Sequence, residues 1–277
     1  MRCVHEALLT GGAGKRVKDV MKNNKIVVAG LGEIGKPLLE LASKNHDAVG
    51  VDISPAPRIE AVEILHVCYP FQINDFVGET ARYIDYFKPS LTIINSTVAV
   101  GTTRAIAERT STSVVSSPVR GKHARMIEEL RMYTKFIGAM DRRAGELAAD
   151  HFSSIGLKTK LLSSPEATEL AKLSETTYFG LMVAWAQEVE RYCDLSGQDY
   201  DEVTSFYDEI KFFPNVKYFP GIIGGHCVMP NVDILSEYSR SVLLDAIQAS
   251  NGMKIEREAR SRKMVGRPAV AVTAAVV

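Results

Sequence analysis

Short apolar runs rich in β-branched residues alternate with helical patterns between residues 23 and 162. The predicted strands are KIVVA, DAVGVD, ILHVCYPF, LTIIN, TSVVSS, TKFIGA and KTKLL. Helical periodicity occupies several of the segments between them, including INDFVGETARYIDYF and RRAGELAADHFSSIG. Strands that alternate with helices predict an α/β domain built on a doubly wound parallel sheet.

After residue 162 the strand pattern ends and helical periodicity takes over. Ser164 and Pro165 suit the first positions of a helix, which we expect to run from about Glu166 to about Leu195. Its middle, YFGLMVAWA, is apolar nearly all round and is therefore expected to be buried on several sides. A second helix over YDEVTSFYDEI and a last helix from about Val232 to Arg262 complete a predicted all-helical domain with a long central helix.

A glycine-rich turn, GLGEIG, follows the first predicted strand and precedes a helical pattern. The spacing is G-x-G-x-x-G: Gly30 allows a tight turn, Gly32 lets a pyrophosphate approach the backbone, and Gly35 allows close helix–strand packing. The start of the helix also offers free N–H groups to an anion. We therefore predict that this turn, with Glu33 and Ile34, binds a cofactor that contains adenosine.

Asp52 ends the second predicted strand, 17 residues after Gly35. An acidic side chain at this place accepts hydrogen bonds from both ribose hydroxyls and repels a 2′-phosphate. The ordered pattern predicts a Rossmann domain that binds NAD in preference to NADP. The alternative is a glycine turn in an α/β domain that binds no ligand.

Candidate ligand contacts lie at the ends of two other predicted strands. Ser96 and Thr97 follow LTIIN, and Ser117 ends TSVVSS with Pro118 directly after it. Ligands of doubly wound sheets bind outside the carboxyl ends of the strands. We expect the first pair to contact the cofactor and the second pair the substrate. Helix capping and turn formation explain the same residues equally well.

These patterns divide the chain into a polar extension over residues 1–22, a dinucleotide-binding Rossmann domain over 23–162, a helical substrate and dimerisation domain over 163–262, and a tail over 263–277. The long central helix is too long to be hidden in one small domain, since about 30 residues span about 45 Å. It is therefore expected to form a homodimer interface.

The chain has 33 basic and 33 acidic residues, so its charge gives no reason to expect nucleic acid or a membrane surface as a partner. Its four cysteines are widely spaced, without a zinc pattern or a secreted disulfide framework. No apolar run has the length of a membrane span, and the N-terminus lacks a signal-peptide core. We expect a reduced, cytoplasmic protein that acts on a small molecule and holds no metal.

In the stretch GGHCVMPN, two glycines are followed by His226 and then by Cys227. A cysteine on such a turn is expected to be exposed, which suits a nucleophile. The alternative is a structural cysteine, because free cysteines are often buried. Similarly, His226 suits a structural hydrogen bond as well as a substrate contact. Lys172 and Thr176 share one face of the long helix and are further candidates, although a solvated helix face would also explain them.

Five motifs occur in one order, GLGEIGKPLLELA, NSTVAVGTT, SSPVRGKHA, AKLSETTYFGLMVAWAQE and GGHCVMPN. In this order the chain resembles the UDP-glucose/GDP-mannose dehydrogenase family over about residues 25 to 255. The resemblance implies that Cys227 attacks the aldehyde formed by a first hydride transfer. A second hydride transfer then gives a thioester, which water hydrolyses. It also implies that Lys172 acts as acid or base and steadies the oxyanion.

The chain departs from the family at three matched positions. Val119 stands where the family has glutamate, Thr176 where it has asparagine, and Asn231 where it has aspartate. The sequence also ends where the family begins a second domain that holds the sugar nucleotide. We therefore expect a substrate smaller than a sugar nucleotide, with Cys227, Lys172, Thr176 and Asn231 as candidate catalytic residues.

Three function classes stay open at this point. The first is an NAD-dependent dehydrogenase for a small polar substrate. The second is a methyltransferase on the same scaffold, similar to a pyridinol methyltransferase, with S-adenosylmethionine as the cofactor, since its ribose also suits Asp52. The third is a catalytically silent protein that binds a nucleotide. A pyrophosphate uses the N–H groups of the glycine turn fully and a sulfonium cofactor does not, so binding of these cofactors discriminates between the classes.

Overall fold

The computed structural model describes residues 25–52, 58–121, 125–211, 216 and 218–265, with side chains as far as Arg262. The extension over residues 1–22 and most of the tail over 263–277 lie outside these described residues. The chain divides into two compact units, one up to Glu169 and the other from Leu170 onward. Each unit is described by itself below.

The first unit contains one seven-stranded sheet among the described residues. Its strands are β1 (Lys25–Ala29), β2 (Ala48–Val51), β3 (Val62–Val67), β4 (Leu91–Ile94), β5 (Val114–Ser116), β6 (Lys135–Ala139) and β7 (Thr159–Leu162). The strand order is β2-β1-β3-β4-β5-β6-β7. The predicted α/β class and all seven predicted strands are confirmed.

The sheet is parallel, as predicted, at every pairing but one. The first five strands are parallel to their neighbours, whereas β6 is antiparallel to β5, and β7 is parallel to β6. A helix that the sequence pattern did not reveal, Met126–Met132, lies between β5 and β6. Alternation of strands and helices predicts which elements neighbour each other, but it leaves the direction of an individual strand open.

The helices of the first unit are α1 (Gly35–Ala42), α2 (Phe76–Phe87), α3 (Thr102–Thr110), α4 (Met126–Met132) and α5 (Arg142–Ser154). Alternate residues of β1 point to opposite faces of the sheet. Val28 packs in one cluster with Leu38 of α1, and Val27 packs in another with Ile84 of α2 and Ile106 of α3. Burial on both faces explains why β1 reads as a continuous apolar run.

The second unit is helical. It consists of α6 (Pro165–Ser196) from Leu170 onward, α7 (Tyr200–Thr204), a 3-10 helix (Ser205–Glu209), α8 (Val228–Tyr238) and α9 (Val242–Val265). The predicted long central helix is confirmed to within one residue at each end. Its apolar core contains Val183, Ile223, Val228, Val232 and Ile247. None of the described helices has the length and apolar composition needed to cross a membrane.

The predicted last helix, Val232 to Arg262, is two helices. The chain is extended at Ser239, with φ −158° and ψ 127°, and a new helix begins after Ser241. The Ser241 hydroxyl accepts the N–H of Leu243 at 3.3 Å. Serine side chains favour helix starts for this reason, and the sequence signal at SRS was missed.

Candidate functional site

The glycine turn between β1 and α1 has the geometry of a close backbone approach. Gly30 has φ +91°, and a Cβ built there would lie 2.6 Å from the backbone nitrogen of Tyr69. A Cβ at Gly35 would collide with the Gly30 carbonyl oxygen. A Cβ at Gly32, by contrast, would have none of the described atoms within 4 Å. The fold itself therefore requires the outer two glycines, and the middle one leaves room for a ligand beside the backbone.

The start of α1 differs from the starts of α2, α3 and α5 in this unit. Asp75 and Asp141 accept N–H groups at 2.8 and 2.9 Å at the starts of α2 and α5. Glu169 accepts two N–H groups at 2.7 and 2.9 Å at the start of α3. The N-cap residue of α1 is Ile34, whose side chain is hydrocarbon only. The turn therefore fits an anionic group of a cofactor at the start of α1.

Asp52 follows β2 directly and is exposed. Burial, followed by the negative charge of the nearby Asp52, raises the pKa of the Tyr83 phenol. Glu33 is exposed within the glycine turn, and Ile34 packs against the core of the unit. An exposed acid at the end of β2 has the chemistry needed to bind ribose hydroxyls.

The hydroxyls predicted at the ends of β4 and β5 are engaged within the fold. Ser96 donates to the carbonyl of Tyr69 at 2.6 Å. Ser117 is fully buried and donates to the carbonyl of Phe136 at 2.9 Å. Thr97 is half-buried, and Pro118 is buried. Both hydroxyls therefore donate to backbone carbonyls of the same unit.

A chain of buried polar groups, which sequence analysis missed, crosses the core of this unit. His66 and His151 share a hydrogen bond of 2.8 Å between ring nitrogens, and Asn95 contacts the other ring nitrogen of His66 at 3.1 Å. The ammonium of Lys135 donates to Asn95 Oδ1 at 3.2 Å and to the carbonyl of Ser117. The sequence signal for this network is a polar residue inside an otherwise apolar strand, as in ILHV and TKFIGA.

The two buried histidines of this polar network, His66 and His151, resist protonation. Burial, followed by the proximity of His151 and Lys135, holds the pKa of His66 well below its ordinary value. Burial, followed by the proximity of His46, lowers the pKa of His151 to about 3. Both rings are therefore neutral at neutral pH, where each nitrogen either donates or accepts a hydrogen bond.

The cysteine turn, Gly224–Cys227, belongs to the second unit. Cys227 is exposed and directly precedes α8, and Gly225 has φ +79°. His226 is also exposed. Among the described cysteines, Cys68 and Cys193 are buried, and burial raises the pKa of Cys68 to about 12. The expected exposure of Cys227 is confirmed.

The structure brings Thr176 and Asn231 together. The side-chain amide of Asn231 donates to the hydroxyl of Thr176 at 3.0 Å, and Asn231 is only 4% exposed. Lys172, one helical turn before Thr176, forms an ion pair with Glu175 at 3.7 Å, and its side chain is 13% exposed. Val119 lies buried in the core of the first unit. Among the residues that the structure describes, no group of His, Cys, Asp or Glu side chains suits a metal ion.

One stretch of the chain matches a known family model. Residues 166–255 match the sequence model of the UDP-glucose/GDP-mannose dehydrogenase family, central domain. The resemblance predicted from the five motifs is therefore confirmed.

The similar curated proteins are longer dehydrogenases. UDP-N-acetyl-D-mannosamine dehydrogenase of Methanococcus vannielii is 25% identical over 261 residues, which cover 76% of this chain and 60% of that protein. The protein of the same name from Methanocaldococcus jannaschii is 24% identical over 270 residues, covering 79% and 63%. The chain thus spans about three fifths of the length of these family relatives.

Solved structures show the same fold. UDP-D-ManNAc dehydrogenase of Pyrococcus horikoshii has a TM-score of 0.75 at 20% identity, covering 87% of this chain and 72% of that one. UDP-glucose dehydrogenase of Pyrobaculum islandicum has a TM-score of 0.71 at 20% identity, covering 89% and 72%. 3-Hydroxyisobutyrate dehydrogenase of Mycobacterium tuberculosis has a TM-score of 0.64 at 14% identity, covering 85% and 94%.

Proposed function

We propose that the chain is an NAD-dependent dehydrogenase that oxidises the alcohol of a polar substrate smaller than a sugar nucleotide. The observation that carries the proposal is the glycine turn. Gly32 leaves open space there, beside helix N–H groups whose N-cap residue, Ile34, has no side-chain oxygen. The exposed Asp52 on the neighbouring strand adds the ribose contact. The similar proteins from Methanococcus vannielii and Methanocaldococcus jannaschii are dehydrogenases, which supports the reaction class.

The cofactor residues have distinct roles in this proposal. Backbone N–H groups from Gly30 to Gly35, a span that includes Glu33 and Ile34, hold the pyrophosphate, and Asp52 holds the adenosine ribose. Ser96 contributes backbone contacts, because its hydroxyl already donates to the carbonyl of Tyr69. Thr97 contributes backbone or hydroxyl contacts. Bound NAD supplies a hydride acceptor.

Lys172 is proposed to manage the proton of the substrate alcohol. Its side chain is largely buried and carries three N–H donors when protonated. Thr176 and Asn231 form a hydrogen-bonded pair that can orient a polar substrate, although neither exchanges a proton readily near neutral pH. Ser117, Pro118, His226 and Cys227 are proposed as substrate contacts, which the resemblance to the family supports.

The choice of a smaller substrate rests on what the thioester route requires. Two oxidations and a hydrolysis need proton transfer at several steps. Val119 and Asn231 replace the family's two carboxylates, so a single oxidation from alcohol to carbonyl fits these residues better. The fold is compatible with a small substrate, because the chain covers 94% of 3-hydroxyisobutyrate dehydrogenase of Mycobacterium tuberculosis.

The test is NADH formation from a panel of small hydroxy acids and polyols, beside UDP-glucose and UDP-N-acetyl-D-mannosamine. We expect NADH from a member of the small-molecule panel and no appreciable NADH from either nucleotide sugar. Brisk NADH formation from a nucleotide sugar would contradict the proposed substrate class. Binding of NAD without turnover of any substrate would favour the silent nucleotide-binding alternative.

The methyltransferase alternative gains no support from the comparisons, whose reported relatives and structures are all dehydrogenases. A titration with S-adenosylmethionine separates it from the main proposal. We expect no binding of S-adenosylmethionine at concentrations that saturate NAD binding.

The chain is further proposed to form a homodimer through α6. Tyr178, Trp185 and Tyr192 are spaced seven residues apart and are 51%, 51% and 54% exposed. Residues with this spacing share a helix face, and aromatic side chains are enriched in interfaces. Sedimentation is expected to show a dimer at micromolar concentration, and Trp185→Glu to yield a monomer. A monomeric wild-type protein would refute this assembly.

A further inference from the structure

Residues 218–223 lead into the cysteine turn without belonging to a helix or a strand. Buried backbone polar groups need hydrogen-bond partners, and a segment outside regular structure must find them elsewhere. Side chains of α7 and α6 provide two of them. The Tyr200 hydroxyl donates to the carbonyl of Tyr218 at 2.8 Å, and the Gln187 amide donates to the carbonyl of Gly221 at 2.7 Å.

Asn251 of α9 holds the last residue before the turn on both sides of its backbone. The N–H of Ile223 donates to Asn251 Oδ1 at 2.8 Å, and Asn251 Nδ2 donates to the carbonyl of Ile223 at 2.9 Å. A single side-chain amide thus takes the place of a neighbouring strand. Asn251 is 4% exposed and Ile223 is 3% exposed, so both bonds are shielded from water.

The orientation of this amide is itself fixed. Gln187 is fully buried, and its amide lies 3.4 Å from Asn251 Oδ1. The Ser250 hydroxyl donates to Gln187 Oε1 at 2.9 Å, which sets the donor and acceptor ends of Gln187. Networks that are satisfied in this way favour one conformation, because turning any amide over leaves buried groups without partners.

The other end of the cysteine turn is held by packing. Val228, the first residue of α8, contacts α6 at Gly180, where a built Cβ would lie 2.7 Å from Val228 Cγ1. Ile223 and Val228 belong to the same apolar cluster. The exposed residues Gly224 to Cys227 therefore lie between two fixed residues. Ile223 is held chiefly by hydrogen bonds, and Val228 is held by packing.

We propose that Asn251 is a positioning residue that sets the place of the Cys227 thiol through the backbone of Ile223. The functional meaning of this role rests on the proposed function, in which the cysteine turn belongs to the active site. The role follows from the two opposed hydrogen bonds, because an apolar side chain at residue 251 would leave both Ile223 groups buried without partners.

The experiment compares Asn251→Ala with Ser250→Ala in a Cys3→Ser background. Ser250 belongs to the same network, and none of its described hydrogen bonds goes to residues 218–223. Without it, the carbonyl of Gly221 and Asn251 Oδ1 still fix the donor end of Gln187, so Ser250→Ala controls for the loss of one buried hydrogen bond beside the cysteine turn. The readouts are the rate of Cys227 alkylation by iodoacetamide, blanked with Cys227→Ser, and amide hydrogen exchange of Ile223. Neither readout requires cofactor or substrate, so failure of the proposed dehydrogenase activity would be seen separately.

In Asn251→Ala we expect exchange of the Ile223 amide to become about tenfold faster or more, because its hydrogen-bond acceptor is removed. We expect the alkylation rate to change by about tenfold, because the surroundings of Cys227 set its thiolate fraction and its access to the reagent. In Ser250→Ala both quantities are expected to stay within about twofold of the wild type. Equal behaviour of the two variants, with both folded by circular dichroism, would overturn the proposal.

Two further measurements keep the proposal testable if Asn251→Ala fails to fold. Gln187→Met removes the hydrogen bond to Gly221 from the opposite helix and is expected to change Cys227 alkylation in the same direction. In the wild type, Ile223 is expected to exchange more slowly than Gly224 and Gly225, which are exposed. Exchange of Ile223 as fast as that of the two glycines would contradict the proposed clamp.

Discussion

The glycine turn before α1 and the cysteine turn before α8 are both short, glycine-containing loops that lead into a helix, yet we propose different kinds of chemistry for them. In the first, the proposed binding groups are main-chain N–H groups beside open space at Gly32. In the second, the proposed substrate contacts are side chains around Cys227, and Thr176 and Asn231 differ from the motif of the family that the chain resembles. A site made from backbone is expected to tolerate side-chain change, whereas a site made from side chains is expected to change its reaction with them.

The largest effect is expected in the second unit, at Lys172. If Lys172 moves the proton of the substrate alcohol, Lys172→Met should lower kcat by about 10²–10⁴-fold, the usual range for general acid–base help. The measurement is steady-state NADH formation with a substrate found in the small-molecule panel. Cys227→Ser is the matched variant and should leave kcat nearly unchanged, because a single hydride transfer needs no thiol. Equal losses in both variants would instead indicate the thioester route.

The next effect separates the structural glycines from the binding glycine in the first unit. Gly35→Val should lower the free energy of unfolding by about 3 kcal/mol, because added atoms collide with a tightly packed backbone. Gly32→Ala should change the free energy of unfolding by less than about 0.5 kcal/mol while weakening NAD binding, since its space is open. Urea unfolding and calorimetry give the two quantities. Similar losses of stability in both variants would contradict the assignment of Gly32 to the ligand.

A smaller effect tests the choice of cofactor. Asp52→Ala should weaken NAD binding by about 1.5–3 kcal/mol, the range for hydrogen bonds to a charged group. Binding of NADP should not weaken, because the carboxylate that repels a 2′-phosphate is removed. Calorimetric titration of both cofactors checks this. Parallel losses for NAD and NADP would show that Asp52 does not read the ribose.

The smallest effect concerns the buried histidines. A histidine whose pKa falls from 6.5 to about 3 on folding contributes stability that is complete above pH 6.5 and is lost as the pH falls from 6.5 toward 3. Between pH 7.5 and 5.5, His151 alone should account for a loss of about 1.4 kcal/mol. His151→Gln, measured by urea unfolding at both pH values, should remove that part of the pH dependence. An unchanged dependence would show that His151 is not held neutral.

The sequence predicted the first unit well because its signals are local and repetitive. Apolar runs mark the strands on both sides of the glycine turn, and Asp52 falls where the pattern placed it. The same holds for α6, whose length follows from uninterrupted periodicity. The antiparallel β6 escaped prediction because strand direction depends on how the chain returns to the sheet, which no local pattern records.

The missed parts of the sites share one physical cause. The hydrogen bonds of Asn251 to Ile223 and of His66 to His151 join residues that are 28 and 85 positions apart in the chain. The only sign of such a contact in the sequence is a polar residue among apolar ones, such as His66 in β3. Ser241 is different, because its helix-start signal is local and was overlooked within the periodic pattern that surrounds it.

The comparison between the two turns depends first on whether the glycine turn binds its cofactor. The most direct measurement is a calorimetric titration of the wild-type protein with NAD, followed by NADP and S-adenosylmethionine under the same conditions. We predict saturable binding of NAD, weaker binding of NADP and none of S-adenosylmethionine. A flat titration with all three cofactors would contradict the proposal that the first unit is a working NAD site.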